Sequence, residues 1–183
     1  LEAEALEAQL HFFCQDSCRI GLLPDPETLP YDSFSPHADL ISRRLSVLAQ
    51  LLAQQIDICV VATPTLAYRL PPLDYLGQFS LSLTVGQQLD PADLQTQLDS
   101  SGYERVSQVS QPGEYAIRGS LIDLFPSGLE QPVRIDFFDS EIDSLRHFDP
   151  DSQLSGDTRE TLKMLPAREF LTTPDGIRDF RSR

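Results

Sequence analysis

The chain has 183 residues, 28 acidic against 14 basic, a formal charge of −14 and 40% hydrophobic content. That length holds one large domain or two small ones with packed cores, while a surface of that sign repels the phosphate backbone that supplies most nucleic-acid affinity. Cys14, Cys18 and Cys59 are too few and odd in number for a disulfide framework, and no apolar run approaches the ~20 residues of a membrane span, so a reduced cytoplasmic setting is expected.

The chain opens on Leu1 with helix-like sequence already under way, as expected of a piece of something longer. Residues 1–15, LEAEALEAQLHFFCQ, combine strong helix formers with apolar side chains at Ala3, Leu6, Leu10 and Phe13, an amphipathic helical pattern. Spacing puts His11, Cys14 and Cys18 on one side, but a closed zinc site wants four ligands and no fourth is near, so packing is their expected role. Residues 19–23, RIGLL, form a short strand ended by Pro24, Pro26 and Pro30. Ser35 is placed as an N-cap with Pro36 at the first helical position, and Leu40, Ile41, Leu45, Leu48, Leu51 and Leu52 give a helix to about Gln55 its apolar face. DICVVA, residues 57–62, has the composition of a strand buried on both faces of a parallel sheet. Thr63 and Pro64 then restart a helix through Arg69, completing an α/β rhythm.

A second unit begins near Phe79, where FSLSLTV alternates and Gly86 closes it. Asp90, Pro91 and Asp93 open a helix over Leu94 and Leu98, with Gly102 as its stop. From Gly102 to Phe148, short alternating strands joined by QPGE, PSGLEQ and FDSE turns make a β-meander. In its strand 132–138 one face carries Val133, Ile135 and Phe137, and the other carries Arg134, Asp136 and Phe138. The first face is a core. The second shows a phenylalanine among charges, which marks a surface awaiting a partner, unless Arg134 and Arg118 pair with the chain's own carboxylates while Phe138 tucks under a loop. Strand parity alone leaves the direction of Arg118 open. Residues 161–165 add a final strand, and from Pro166 onward another domain begins.

The chain contains no G-x-x-x-x-G-K-[ST] loop, no G-x-G-x-x-G and no glycine followed by lysine, so no nucleotide cradle can be placed. Carboxylate pairs such as Asp136 with Asp139 are solvated charges in a chain this acidic. The serines available to His37 and His147 lack the G-x-S-x-G frame of a nucleophile. No catalytic residue, cofactor site or metal site is expected.

GEYAIRGSLIDLFPSG at residues 113–128, PVRIDFFDSEIDSLRHFD at 132–149 and, upstream, ETLPYDSFSPHADLISRRLSVLAQL at 27–51 resemble the N-terminal UvrB-homology module of the bacterial transcription-repair coupling factor (Mfd) family. The resemblance runs from about Asp25 to the C-terminus. It implies an α/β fold in three parts: a partial RecA-like layer over 1–78, a smaller α+β domain with an antiparallel meander, similar to UvrB domain 2, over 79–166, and the start of a domain 1b-like segment over 167–183. It implies a non-catalytic module that recruits the nucleotide-excision-repair protein UvrA to RNA polymerase stalled at DNA damage. The family positions implicated in UvrA docking fall on Arg118, Arg134 and Phe138, and Arg134→Ala or Phe138→Ala is expected to spare the fold. In longer members a C-terminal domain covers the same surface, other domains engage RNA polymerase and DNA, and ATP with Mg serves a translocase domain outside this piece. UvrB itself carries a tyrosine-rich hairpin before the helix at Ser35, whereas this chain runs there from Pro30 with only Tyr31 and Phe34. The competing expectation is a nucleic-acid-dependent ATPase or helicase fragment related to UvrB, which the missing phosphate loop and the negative charge oppose.

Overall fold

The computed structural model describes residues 2–28, 36–170 and Arg178. Helix α1 (Glu2–Cys14) forms where the helix formers lie, yet buries none of its described residues, and Phe12 and Phe13 meet edge to face at 5.4 Å in the open. Cys14 and Cys18 sit half-buried at its end.

Strand β1 (Ile20–Leu23) pairs in parallel with β2 (Ile58–Val61), and helix α2 (Ala38–Leu52) makes the crossover between them. Leu45 and Leu48 of α2 pack on Leu23 and on Tyr75 and Leu76 of the short helix α3 (Tyr75–Phe79). The start of α2 differs from expectation: His37 is the N-cap, its Nδ1 accepting the Asp39 N–H at 3.4 Å, and the helix begins at Ala38 rather than Pro36. Ser35 lies outside the described residues. Strand β2 is also less enclosed than its composition suggests. Val60 is buried but Cys59 is exposed, because among the described residues this sheet has two strands and leaves edges and faces open. Residues 63–69 make a 3₁₀ turn (Thr63–Ala67) instead of an α-helix. Pro71 and Pro72 leave too short a run for α-helical propagation, and Thr65 spends its hydroxyl on Asp25 at 2.8 Å.

Strand β3 (Leu81–Thr84) opens the second unit. Helix α4 (Pro91–Ser100) then starts as its residues dictate: Asp90 accepts the Ala92 N–H at 2.8 Å, Pro91 fills the first turn, and Gly102, at φ +84, turns the chain out. Its Leu94 and Leu98 are fully buried against one face of a six-stranded sheet. That sheet runs in sequence order through β4 (Glu104–Arg105), β5 (Glu114–Arg118), β6 (Leu121–Leu124), β7 (Val133–Phe138), β8 (Glu141–Phe148) and β9 (Ser155–Arg159), antiparallel except between β4 and β5. Tyr115, Ile122, Leu124, Val133, Ile135 and Leu145 fill the covered face, and each fully buried aliphatic side chain contributes about 2–3 kcal/mol. A bulge opposite Asp136 and Phe137 inserts an extra residue in β8, so Ile142 and Leu145 share the core face although three apart. The last strand, β10 (Thr161–Met164), joins β3 antiparallel, Thr161 opposite Thr84 and Met164 opposite Leu81.

The two parts meet through polar contacts. Arg44 of α2, 1% exposed, donates to both carboxylate oxygens of Glu169 and to the Pro24 carbonyl. Ser42 Oγ accepts the Gly128 N–H at 2.8 Å. Gly128 has φ +87, a left-handed conformation that favours glycine, and a Cβ there would also press on the tip of the Leu165 side chain, which would have to move. The Tyr75 hydroxyl donates to the Arg168 carbonyl at 2.6 Å, and within the second unit that of Tyr103 donates to the Leu165 carbonyl at 2.7 Å.

Burial pushes the phenols of Tyr75, Tyr103 and Tyr115 up to about 12. An unfolded tyrosine ionises near ~10, so the native state holds these protons more tightly. Their contribution to stability is complete below the unfolded value and is lost as pH rises through the folded one. Tyrosinate absorbance of the folded protein should therefore show these three groups ionising late, with the melting temperature falling between pH ~10 and ~12. Ordinary titration of every tyrosine in a protein still folded would contradict the burial described.

Candidate protein-docking site

The face of the six-stranded sheet opposite α4 gathers the chemistry; its Ala116 and Phe148 are buried with Val109 and Phe125 in a small second cluster, and apart from Asp123 the rest of the face is more open. Alternation and register place on it Ala116 and Arg118 from β5, Leu121 and Asp123 from β6, Arg134, Asp136 and Phe138 from β7, and Arg146 from β8. The open question about Arg118 is thereby answered: it lies on the same face as Arg134 and Phe138.

Asp123 is the centre of this face and is 1% exposed. Arg134 grips it bidentately, Nε donating to Oδ1 at 2.6 Å and Nη2 to Oδ2 at 3.0 Å, in the fork geometry that makes guanidinium–carboxylate pairs strong. The carboxylate holds Arg134 above the usual arginine pKa. Nη1 of Arg134 donates to the Gln153 carbonyl at 3.3 Å and to Ser155 Oγ at 3.2 Å, and the guanidinium lies 4.8 Å from the centre of the Phe148 ring. Arg134 is left 17% exposed.

Arg118 approaches the same carboxylate from the neighbouring strand, its Nη1 4.0 Å from Asp123 Oδ2, with 41% of its side chain exposed. It donates to Gln153 Oε1 at 3.2 Å and to the Ser107 carbonyl at 3.3 Å. Gln153 thus meets both arginines. Its loop is shaped by Asp149, whose Oδ1 accepts the N–H groups of Ser152 at 2.7 Å and Asp151 at 3.2 Å, bonds that hold the Asp149 carboxyl below its ordinary value. On the other side Glu114 accepts the backbone N–H groups of Ser110 and Gln111, shaping the segment that carries Ser107.

Phe138 ends β7 and is 78% exposed. Asp139 follows in the left-handed region at φ +57, reversing the chain before anything can cover the ring. The ring stands about 13 Å along the strand from Arg134. Half-buried Leu121, opposite Asp136, lies between the arginines and Phe138.

The reading of internal pairing with a covered Phe138 holds for the arginines and fails for the ring. Arg134 and Arg118 do pair with an internal carboxylate, while Phe138 does not tuck under a loop. Arg134 is also no free surface group: its removal would strand a buried charge, so Arg134→Ala is expected to cost stability even where the fold survives. Asp123 and Gln153 were not singled out from the sequence. The signal for Asp123 was present in LIDLF, where a carboxylate flanked by apolar neighbours on a buried strand demands a cation. Arg146, directly across β8 from Arg134, is exposed and has no ion pair among the described residues. Among the described residues no group of three His, Cys, Asp or Glu could hold a metal, and no described helix is long and apolar enough to cross a membrane.

Residues 81–170 match the family model of the UvrB interaction domain. The chain is 53% identical over 160 residues to the transcription-repair-coupling factor of Escherichia coli K12, covering 87% of this chain and 14% of that protein. It is 47% identical over 168 residues to the protein of that name from Haemophilus influenzae, covering 92% and 14%, and 37% identical over 167 residues to that of Bacillus subtilis, covering 85% and 14%. The chain thus spans about one-seventh of the length of the curated relatives it matches.

The contacts separate the two β7 residues by stability. Arg134→Ala should lower the unfolding free energy by about 2–4 kcal/mol, since it leaves Asp123 buried and unpaired. Phe138→Ala, which removes an exposed ring, should change it by less than ~0.5 kcal/mol. Urea unfolding of the three proteins checks this, and coincident midpoints would refute the structural role of Arg134.

Proposed function

The chain belongs to the transcription-repair-coupling factor family, and on that premise we propose that it is the family's docking module for UvrA, recruiting this excision-repair protein to RNA polymerase stalled at DNA damage. One observation carries the reading: an exposed phenylalanine shares a sheet face with two arginines fixed on one carboxylate, in a chain of formal charge −14. A local positive site on an acidic molecule favours a protein partner that offers carboxylates, and a lone aromatic ring beside it supplies the apolar anchor typical of an interface hot spot.

We assign docking to residues 79–166, through Arg118, Arg134 and Phe138, with 1–78 as a RecA-like support and 167–183 as the start of a further segment. No cofactor belongs to this piece. ATP and Mg, like the contacts with RNA polymerase and DNA, belong to other domains of longer family members, where a C-terminal domain covers the same face until it is needed. The setting is the bacterial cytoplasm.

Calorimetry with purified UvrA tests the proposal. Saturable binding is expected for the wild type, with Arg118→Ala and Phe138→Ala each losing about 2 kcal/mol or more while circular dichroism stays unchanged. A folded wild type that does not bind, or two variants that bind as well as it does, would overturn the reading.

A further inference from the structure

We propose that Asp123 is a positioning residue for docking: a buried carboxylate that never meets the partner but holds two guanidinium groups in the geometry the partner reads. At 1% exposure it has no surface to offer. Its charge is nevertheless kept in the sheet, where a carboxylate is costly unless paired.

The two arginines use it differently. Arg134 commits Nε and Nη2 to Asp123 and Nη1 to Gln153 and Ser155, with Phe148 beneath it. It is a strut. Arg118 makes its hydrogen bonds to neutral oxygens only, stands 4.0 Å from the carboxylate and is the more exposed of the pair. Of the two cations that share Asp123, Arg134 is the one neutralised by close contact, so the charge left over is displayed by Arg118, on a face that also carries Asp136 and exposed Arg146. Half-buried Leu121 extends the apolar surface from there toward Phe138. The partner surface this fits is a protein carboxylate for Arg118, with an apolar slot for Phe138 about 12 Å away, two strands over and two residues along.

The sign of one substitution separates positioning from charge. Asp123→Asn preserves shape while making the face more positive. If charge alone governed docking, an acidic partner would bind it more tightly and associate faster. Positioning predicts the opposite: affinity for UvrA weaker by about tenfold or more, expressed in faster dissociation. Asp123→Glu, which keeps the charge and shifts the carboxylate by one methylene, should also weaken binding. This arm rests on the UvrA reading. The second does not: nitrogen-15 NMR of the arginine Nε–H groups should show the Arg134 signal slow to exchange in the wild type and exchanging like that of exposed Arg43 in Asp123→Asn. Binding by folded Asp123→Asn equal to or tighter than wild type, or an Arg134 signal indifferent to the substitution, overturns the proposal. A wild type that fails to bind UvrA while the NMR change appears would sink the function and leave the positioning established.

Discussion

A carboxylate buried in the middle of a β-sheet is the constraint on which the working face depends. Asp123 lies between Ile122 and Leu124, both committed to the core on the other side of the sheet, so it cannot turn away without unseating them. Its charge must be answered locally. Arg134 answers it from the neighbouring strand, and the rest follows outward: Phe148 supports the guanidinium, the Asp149–Leu154 loop folds back to supply Gln153, and Gln153 in turn receives Arg118. The same contacts that stabilise the sheet therefore determine where its positive charge is displayed.

The legibility of the molecule in its sequence tracks how far each feature depends on neighbours distant along the chain. Helix α4 carries its cap, its proline and its stop in consecutive residues, and it lies where they place it. The two faces of β7 are visible in its alternation, and the exposure of Phe138 follows from that parity together with the turn after it. Strand β9 is SGDTR, without an apolar side chain, and exists through pairing with β8 alone, so no local pattern announces it. The start of α2 moved because a histidine supplied the capping acceptor that a serine was expected to provide. Internal pairing of Arg134 was legible as an alternative, but not with which carboxylate, for a related reason: Asp123 is 11 residues away on another strand, and only the register brings them opposite. The acidic balance could be read without any register, because net charge needs none.

The first 78 residues have a different character. Their core is small; Phe79 and Leu165 of the sheet unit pack against it, Ser42 bonds Gly128, and Arg44 and Tyr75 bond Glu169 and the Arg168 backbone just beyond that unit. A buried arginine tied to a carboxylate 125 residues away is poor as a source of net stability but strict about geometry. It admits one arrangement of α2 against the stretch that follows β10. The polar contacts thus fix the geometry of a junction to which Phe79 and Leu165 also contribute apolar packing.

That attachment involves only one side of the unit, and the pairing of β3 with β10 explains why it suffices. Leu81 and Met164 stand opposite one another, so the chain enters and leaves the unit at a single doorway one strand-spacing wide. From the viewpoint of the flanking chain, more than 80 residues of structure occupy the place of a short turn. A unit wired in this way is a cassette: with its entry and exit one strand-spacing apart, a change of length or sequence inside it need not move the backbone on either side.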